Sequence, residues 1–192
     1  MSIVGMDVSQ NLVNLAQIEL PSALIKQADL EVVADVKSVL QQPAHFGICA
    51  NVLIAPETSS RRNILTSISA TTTIGSVIIF VVPSLESAIF VEWRWSYSGP
   101  PVDPNDGEHI KCGTGQDASN ILLGCLERDG VQTKHYLREE FECVLRQFGF
   151  RVKCCGKSAY DWDMEFGEDI PDHLNRPGPG PWDWCVVAEK VI

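Results

Sequence analysis

The sequence predicts an α/β domain whose parallel sheet is covered by helices on both faces. Three observations predict it. Short β-rich runs alternate with helical segments over the first two-thirds of the chain, the pattern of βαβ units. The run "FGICANVL", Phe46 to Leu53, reads as an apolar strand buried on both faces. The run "SVIIFVVPS" is the strongest strand signal in the chain, entered through Gly75 and closed by Pro83.

The elements follow in order. Ile3 to Met6 is strand-like and ends in Asp7; Ser9 to Ile18 is helical, with Leu12, Leu15 and Ala16 in its pattern and Ser9 as its N-cap. Ala23 to Gln27 is a second short strand ending near Asp29. Glu31 to Leu40 reads as a loop with a short helix, and Ser59 to Thr73 as a helix weakened by its closing threonines. Gly99 to Gly130 is rich in Gly, Pro and Asp and has no clean period. We read about 96–130 as an insertion within a single domain spanning residues 1–192. "TKHYLREEFECVLRQFGF" then reads as a helix capped at Thr133 and ended by Gly149, with Tyr136, Phe141, Val144, Leu145 and Phe148 as its apolar stripe. A strand at Phe150 to Cys155, an acidic Pro/Gly-rich loop to Gly180 and a last strand, "WDWCVVAEKVI", complete the chain.

Composition narrows the function. A net charge of −10 and 25 Asp and Glu residues against 15 Lys and Arg oppose binding to phosphate backbones or anionic lipid. The expectation is therefore no nucleic-acid and no membrane partner. The longest apolar stretch, Val77 to Pro83, is too short to span a bilayer. The seven cysteines sit mostly in apolar runs, as free thiols do in a reducing compartment. With no leader-like opening, a cytoplasmic location is expected.

Parallel sheets bind ligands beyond the carboxyl ends of their strands. Asp7, Asp29, Asn51 and Ser84 all fall there and gather along one edge of the predicted sheet. Four stretches and the C-terminal third together resemble the class I S-adenosylmethionine-dependent methyltransferases. "IVGMDVSQNLVNLAQ" is similar to the second strand of that family, "ALIKQADL" to the third, "HFGICANVLIAP" to the fourth and "IGSVIIFVVPSLES" to the fifth. "KHYLREEFECVLRQFGFRVKCCGK" is similar to the last helix and sixth strand, and "PWDWCVVAEKV" to the closing strand. The resemblance implies a three-layer Rossmann-like sheet, mostly parallel with an antiparallel last strand. It also implies an N-terminally truncated form, because the family's first strand and glycine-rich loop have no counterpart ahead of Ser2. "CGTGQ", Cys112 to Gln116, has the glycines of such a loop without the preceding strand.

By the same resemblance the cofactor is S-adenosylmethionine. Its expected contacts are Asp7 with Val8 at the ribose, Asp29 with Leu30 near the adenine, and Ala50 with Asn51 beneath the methionine part. Asp7 also has a plain structural reading, as an acid at a helix N-terminus. A small-molecule acceptor is expected between Ser84 to Tyr97 and the insertion, with Ser84, Glu92, Trp93 and Tyr97 as its contacts. The alternation of Trp93, Trp95 and Tyr97 is equally that of a half-buried extended segment. Glu86 is a second acid at that end. His109, Cys112 and Cys125 match no four-ligand metal pattern, so no metal is expected. Methyl transfer needs alignment more than a conspicuous catalytic group, and no catalytic residue or oligomeric state is assigned. The alternative is a non-catalytic methyltransferase-like domain that binds no cofactor.

Overall fold

A computed structural model of the chain describes residues 2–97, 118–128, 130–166 and 178–192. Its first unit is β1 (Val4–Asp7), α1 (Gln10–Glu19) and β2 (Leu24–Gln27), with the two strands paired in parallel. Ser9 caps α1, its hydroxyl accepting from Leu12 N at 3.5 Å, so the expected helix start holds. Val13 is buried, whereas Leu12 and Leu15 lie on the exposed side. The uncertain stretch after β2 contains one short helix, α2 (Val33–Val39).

The main sheet is built from β3 (Ala44–Ala50), β4 (Thr72–Pro83), β7 (Phe150–Ala159) and β8 (Trp182–Lys190), in the order β3-β4-β8-β7. β3 and β4 are parallel; β8 is antiparallel to both β4 and β7. The expected mixed sheet with an antiparallel closing strand is therefore present. α3 (Thr58–Ala70) links β3 to β4, and Gly75 supplies the left-handed turn, at φ 85°, that leads into the straight part of β4.

Between β4 and β7 run α4 (Leu85–Tyr97), α5 (Ala118–Leu123), the hairpin β5 (Cys125–Arg128) and β6 (Val131–Lys134), and α6 (Arg138–Gln147); α7 (Trp162–Phe166) follows β7. Two expectations are corrected here. Residues 93–97 are helical rather than extended, so side chains there repeat every 3.6 residues and not every two. Thr133 belongs to β6 rather than to a helix cap. Lys134 N donates to Ile54 O at 2.8 Å and Tyr136 N to Pro83 O at 2.8 Å, and these bonds hold the segment extended until Leu137.

Alternation along the strands puts Cys49, Ile78, Phe80, Val82, Trp184, Val186 and Ala188 on one face, against Ile64 and Leu65 of α3 and Phe141 and Leu145 of α6. Phe80 is fully buried at the centre, edge-on to Phe141 and Phe150 with ring centroids 5.8 Å away. On the opposite face the register aligns Phe46, Ile48 and Ala50 with Val77, Ile79 and Val81, and these with Val187 and Cys185. Phe46 and Ile48 are 57% and 66% exposed there. The reading of β3 as buried on both faces is thus corrected: only Gly47 and Cys49 face the core side. Among the described residues no helix is long and apolar enough to cross a membrane.

Candidate functional site

The carboxyl end of β1 carries Asp7, half-buried. Its Oδ1 accepts from Ser9 N at 2.7 Å, which fixes the turn into α1; Oδ2 takes no hydrogen bond among the described residues. One carboxylate oxygen is therefore structural and the other is open to a ligand hydroxyl. Val8 beside it is 66% exposed. The neighbouring strand brings Asp29 close in register, since Asp7 pairs with Gln27 and Ala28 N donates to Asp7 O at 3.0 Å. Asp29 is exposed and uses Oδ1 on Glu31 N at 2.8 Å, a local turn bond. Leu30 turns the other way and joins the edge of the main core.

At the end of β3, Ala50 and Asn51 are exposed, and Asn51 adopts a left-handed backbone at φ 53°. Such a conformation is costly for most residues and least so for Asn, Asp and Gly. It lets Asn51 N reach Val81 O at 2.9 Å and leaves the strand tip beside the end of β4. A cavity of about 400 Å³ opens there. Its walls come from four places in the chain: Asn51 and Ile54 after β3; Pro83, Ser84, Ser87, Ala88 and Val91 at β4 and α4; Thr133 and His135 at β6; and Tyr160, Met164, Trp182 and Asp183 around β7 and β8.

The structure thus brings two of the expected residues, Asn51 and Ser84, to one cavity. Glu92 and Trp93 lie on α4 but do not line it: the helix presents 84, 87, 88 and 91 to the cavity and turns 92 and 93 away. Trp93 is 52% exposed and stacks on Phe90 at 6.1 Å. Tyr97 closes α4, and its side chain lies outside the described residues, as do His109 and the Cys112 to Gln116 glycines. Among the described residues no group of three His, Cys, Asp or Glu side chains is placed to hold a metal ion.

Local bonds explain why the cavity walls stand where they do. Ser84 Oγ accepts from Ser87 N at 3.0 Å and donates to Glu86 Oε2 at 3.3 Å, so it caps the start of α4. Glu86 also accepts from Trp184 Nε1 at 3.2 Å and from Arg138 N at 3.4 Å, a clamp between α4, β8 and α6. Ser87 Oγ accepts from Trp182 N at 2.7 Å and holds the base of β8 against α4. Tyr136, buried, donates to Leu53 O at 2.8 Å, and burial pushes its phenol well above the ordinary tyrosine range. Burial likewise pushes the Cys49 thiol up to about 12, which removes it as a nucleophile.

His135 lines the cavity too, although in the sequence it lies with Cys143 on or near one predicted helix and carries no assigned role. Thr133 and His135 line the cavity, while Lys134 and Tyr136 between and after them are buried. That period of two is a strand signal, hidden in the sequence by the helical stripe that starts one residue later. Gly124 secures the backbone here. Its φ of 66° and a Cβ position only 2.4 Å from His135 O admit glycine alone, and Gly124 O accepts from His135 N at 2.7 Å.

This fold superposes on known structures. A methyltransferase of Methanosarcina mazei, described as S-adenosylmethionine-dependent, superposes over all of this chain and 82% of its own, with TM-score 0.63 and 13% identity. The fold is that of the class I S-adenosylmethionine-dependent methyltransferases. A putative methyltransferase of this kind from Listeria monocytogenes matches all of this chain and 80% of its own, at TM-score 0.60 and 14% identity. The magnesium protoporphyrin IX methyltransferase of Synechocystis PCC 6803, with S-adenosylhomocysteine bound, matches 98% of this chain and 64% of its own, at 0.56 and 12%. No protein-family model and no curated protein matches the sequence.

Proposed function

We propose that the chain binds S-adenosylmethionine across the carboxyl ends of β1, β2 and β3 and methylates a small molecule held in the cavity. The observation that carries this reading is the position of that cavity. It begins at Asn51, where the methyltransferase fold would place the methionine part of the cofactor, and extends under α4 with largely apolar walls.

The donor set fits the cofactor. Asp7 Oδ2 is open and half-buried, and a carboxylate is the natural acceptor for paired ribose hydroxyls. Val8 would lie with Asp7 at the ribose, Asp29 with the backbone of Leu30 near the adenine, and Ala50 with Asn51 at the amino-acid end, the Leu30 side chain packing on the main core. When bound, the sulfonium supplies an electrophilic methyl carbon. The task of the protein is then to align the acceptor and exclude water, and the walls suited to that are Val91, Met164 and Trp182. The described part of the excursion joins the same domain in this reading, since Cys125 of β5 pairs with Lys134 of β6, whose N donates to Ile54 O. The acidic composition supports a small-molecule acceptor over nucleic acid.

Calorimetric titration with S-adenosylmethionine and S-adenosylhomocysteine tests the proposal directly. Saturable binding of both is expected. Absence of heat with millimolar ligand would overturn it and leave a methyltransferase-like domain that binds no cofactor.

A further inference from the structure

We infer that the acceptor carries a carboxylate, and that Arg94 and Trp182 bind it at the α4 end of the cavity. This inference rests on the transferase reading above, whose small-molecule acceptor it specifies. It follows from three features of that end.

The first is a cation without a counter-charge. Arg94 lies on α4, its guanidinium carbon 5.8 Å from the centre of the Trp162 ring. Its Nε and Nη2 are shielded from solvent and have no hydrogen-bond partner among the described residues. Taking a charge out of water without pairing it is costly, and an arriving anion relieves that cost. The second is the shape of the unused edge. Nε–H and Nη2–H project in parallel from one side of the planar guanidinium, and the two oxygens of a carboxylate accept from both at once. The third is Trp182. It lines the cavity and is only 8% exposed, yet its Nε1 also lacks an acceptor among the described residues. A buried indole N–H ordinarily finds one.

Phe90 joins these groups, its ring 6.2 Å from that of Trp162 and 5.6 Å from that of Trp182. Donors without acceptors thus gather around one aromatic cluster, and a carboxylate is a group that only accepts. Ser87, Ala88 and Val91 of α4 line the cavity, and Arg94 follows Val91 by three residues on the same side of the helix. A shift in its side-chain torsions presents the unused edge at the end of the cavity. The acceptor lays its apolar body along Val91 and Met164 and turns its carboxylate to Arg94 and Trp182. Asp183, an acid among the lining residues, falls on the other face of β8 from Trp182 by strand alternation.

The test needs neither the natural acceptor nor the cofactor. Benzoate, its neutral isostere benzamide and inorganic phosphate are each titrated into the protein by calorimetry. Benzoate should saturate at millimolar concentration, benzamide should bind about tenfold more weakly, and phosphate should not saturate in that range. Arg94→Met removes the cation and keeps an apolar stem against Trp162. It breaks no ion pair among the described residues, so it should melt no lower than the wild type. Its benzoate affinity should fall about tenfold or more while its benzamide affinity stays the same. Trp182→Phe keeps a ring and removes Nε1, which should weaken benzoate about threefold. Benzoate that does not saturate, benzamide or phosphate bound as tightly as benzoate, or undiminished benzoate affinity in Arg94→Met would each overturn the inference. Should Arg94→Met fail to fold, benzoate against benzamide on the wild type decides it. Because S-adenosylmethionine is absent from every measurement, failure here is distinct from failure of the cofactor titration.

Discussion

Asp7 divides two roles between two oxygens, and this makes it testable in a way that deletion is not. Oδ1 holds the turn through Ser9 N, whereas Oδ2 is open. Asp7→Asn retains the first oxygen and replaces the second with a donor, which cannot accept from a ribose hydroxyl. We expect unchanged melting and S-adenosylmethionine affinity lowered about tenfold or more, measured by titration. Equal affinity in Asp7→Asn would leave Asp7 with the turn alone. Asp7 was legible in the sequence because a carboxylate at a strand end is visible without tertiary information, and so was Asn51. His135 was not. Its place in the cavity depends on walls contributed by α4, β7 and β8, which lie from about 45 residues before it to about 50 after it. No local pattern encodes such a convergence.

At the level of elements, α4 shows how far a periodic reading reaches. The aromatics at 93, 95 and 97 satisfy an extended period, yet the segment is helical because its start is specified upstream. Ser84 Oγ caps Ser87 N, and Glu86 in the first turn is clamped by Trp184 and Arg138. The cap and the acid were both visible, and together they outweigh three alternating aromatics. Ser84 is 2% exposed, so its hydroxyl serves the helix more than a ligand. Ser84→Ala should therefore cost about 1 kcal/mol in denaturant unfolding. Loss of less than about 0.3 kcal/mol would show that the N-terminus of α4 is held by Glu86 alone. The β6 segment teaches the converse. There the helical stripe of α6 extends back in sequence past its true start, and only the backbone bonds to Ile54 and Pro83 reveal where the strand ends.

Across the whole molecule, the described sheet comes as two pieces, β1-β2 and β3-β4-β8-β7, and each keeps an unpaired edge among the described residues. The sequence of β3 is written for a strand covered on both sides, and the structure covers one. Phe46 and Ile48 stand in the open beside the half-buried Ile79, Val81 and Val187. The energetic consequence is lopsided. The α3 and α6 face, centred on Phe80, carries the stability of the sheet, while the opposite face forms an apolar patch in contact with water. Such a patch should enhance the fluorescence of 1-anilinonaphthalene-8-sulfonate on the folded chain and promote association as concentration rises. Phe46→Lys with Ile48→Lys should abolish most of that fluorescence and shift elution towards the monomer, with stability changed by no more than about 1 kcal/mol. If both signals persist in the double variant, or if it loses more than about 2 kcal/mol, the face is covered in solution. The folding energy would then be shared between both sides of the sheet, as the apolar run of β3 suggests on its own.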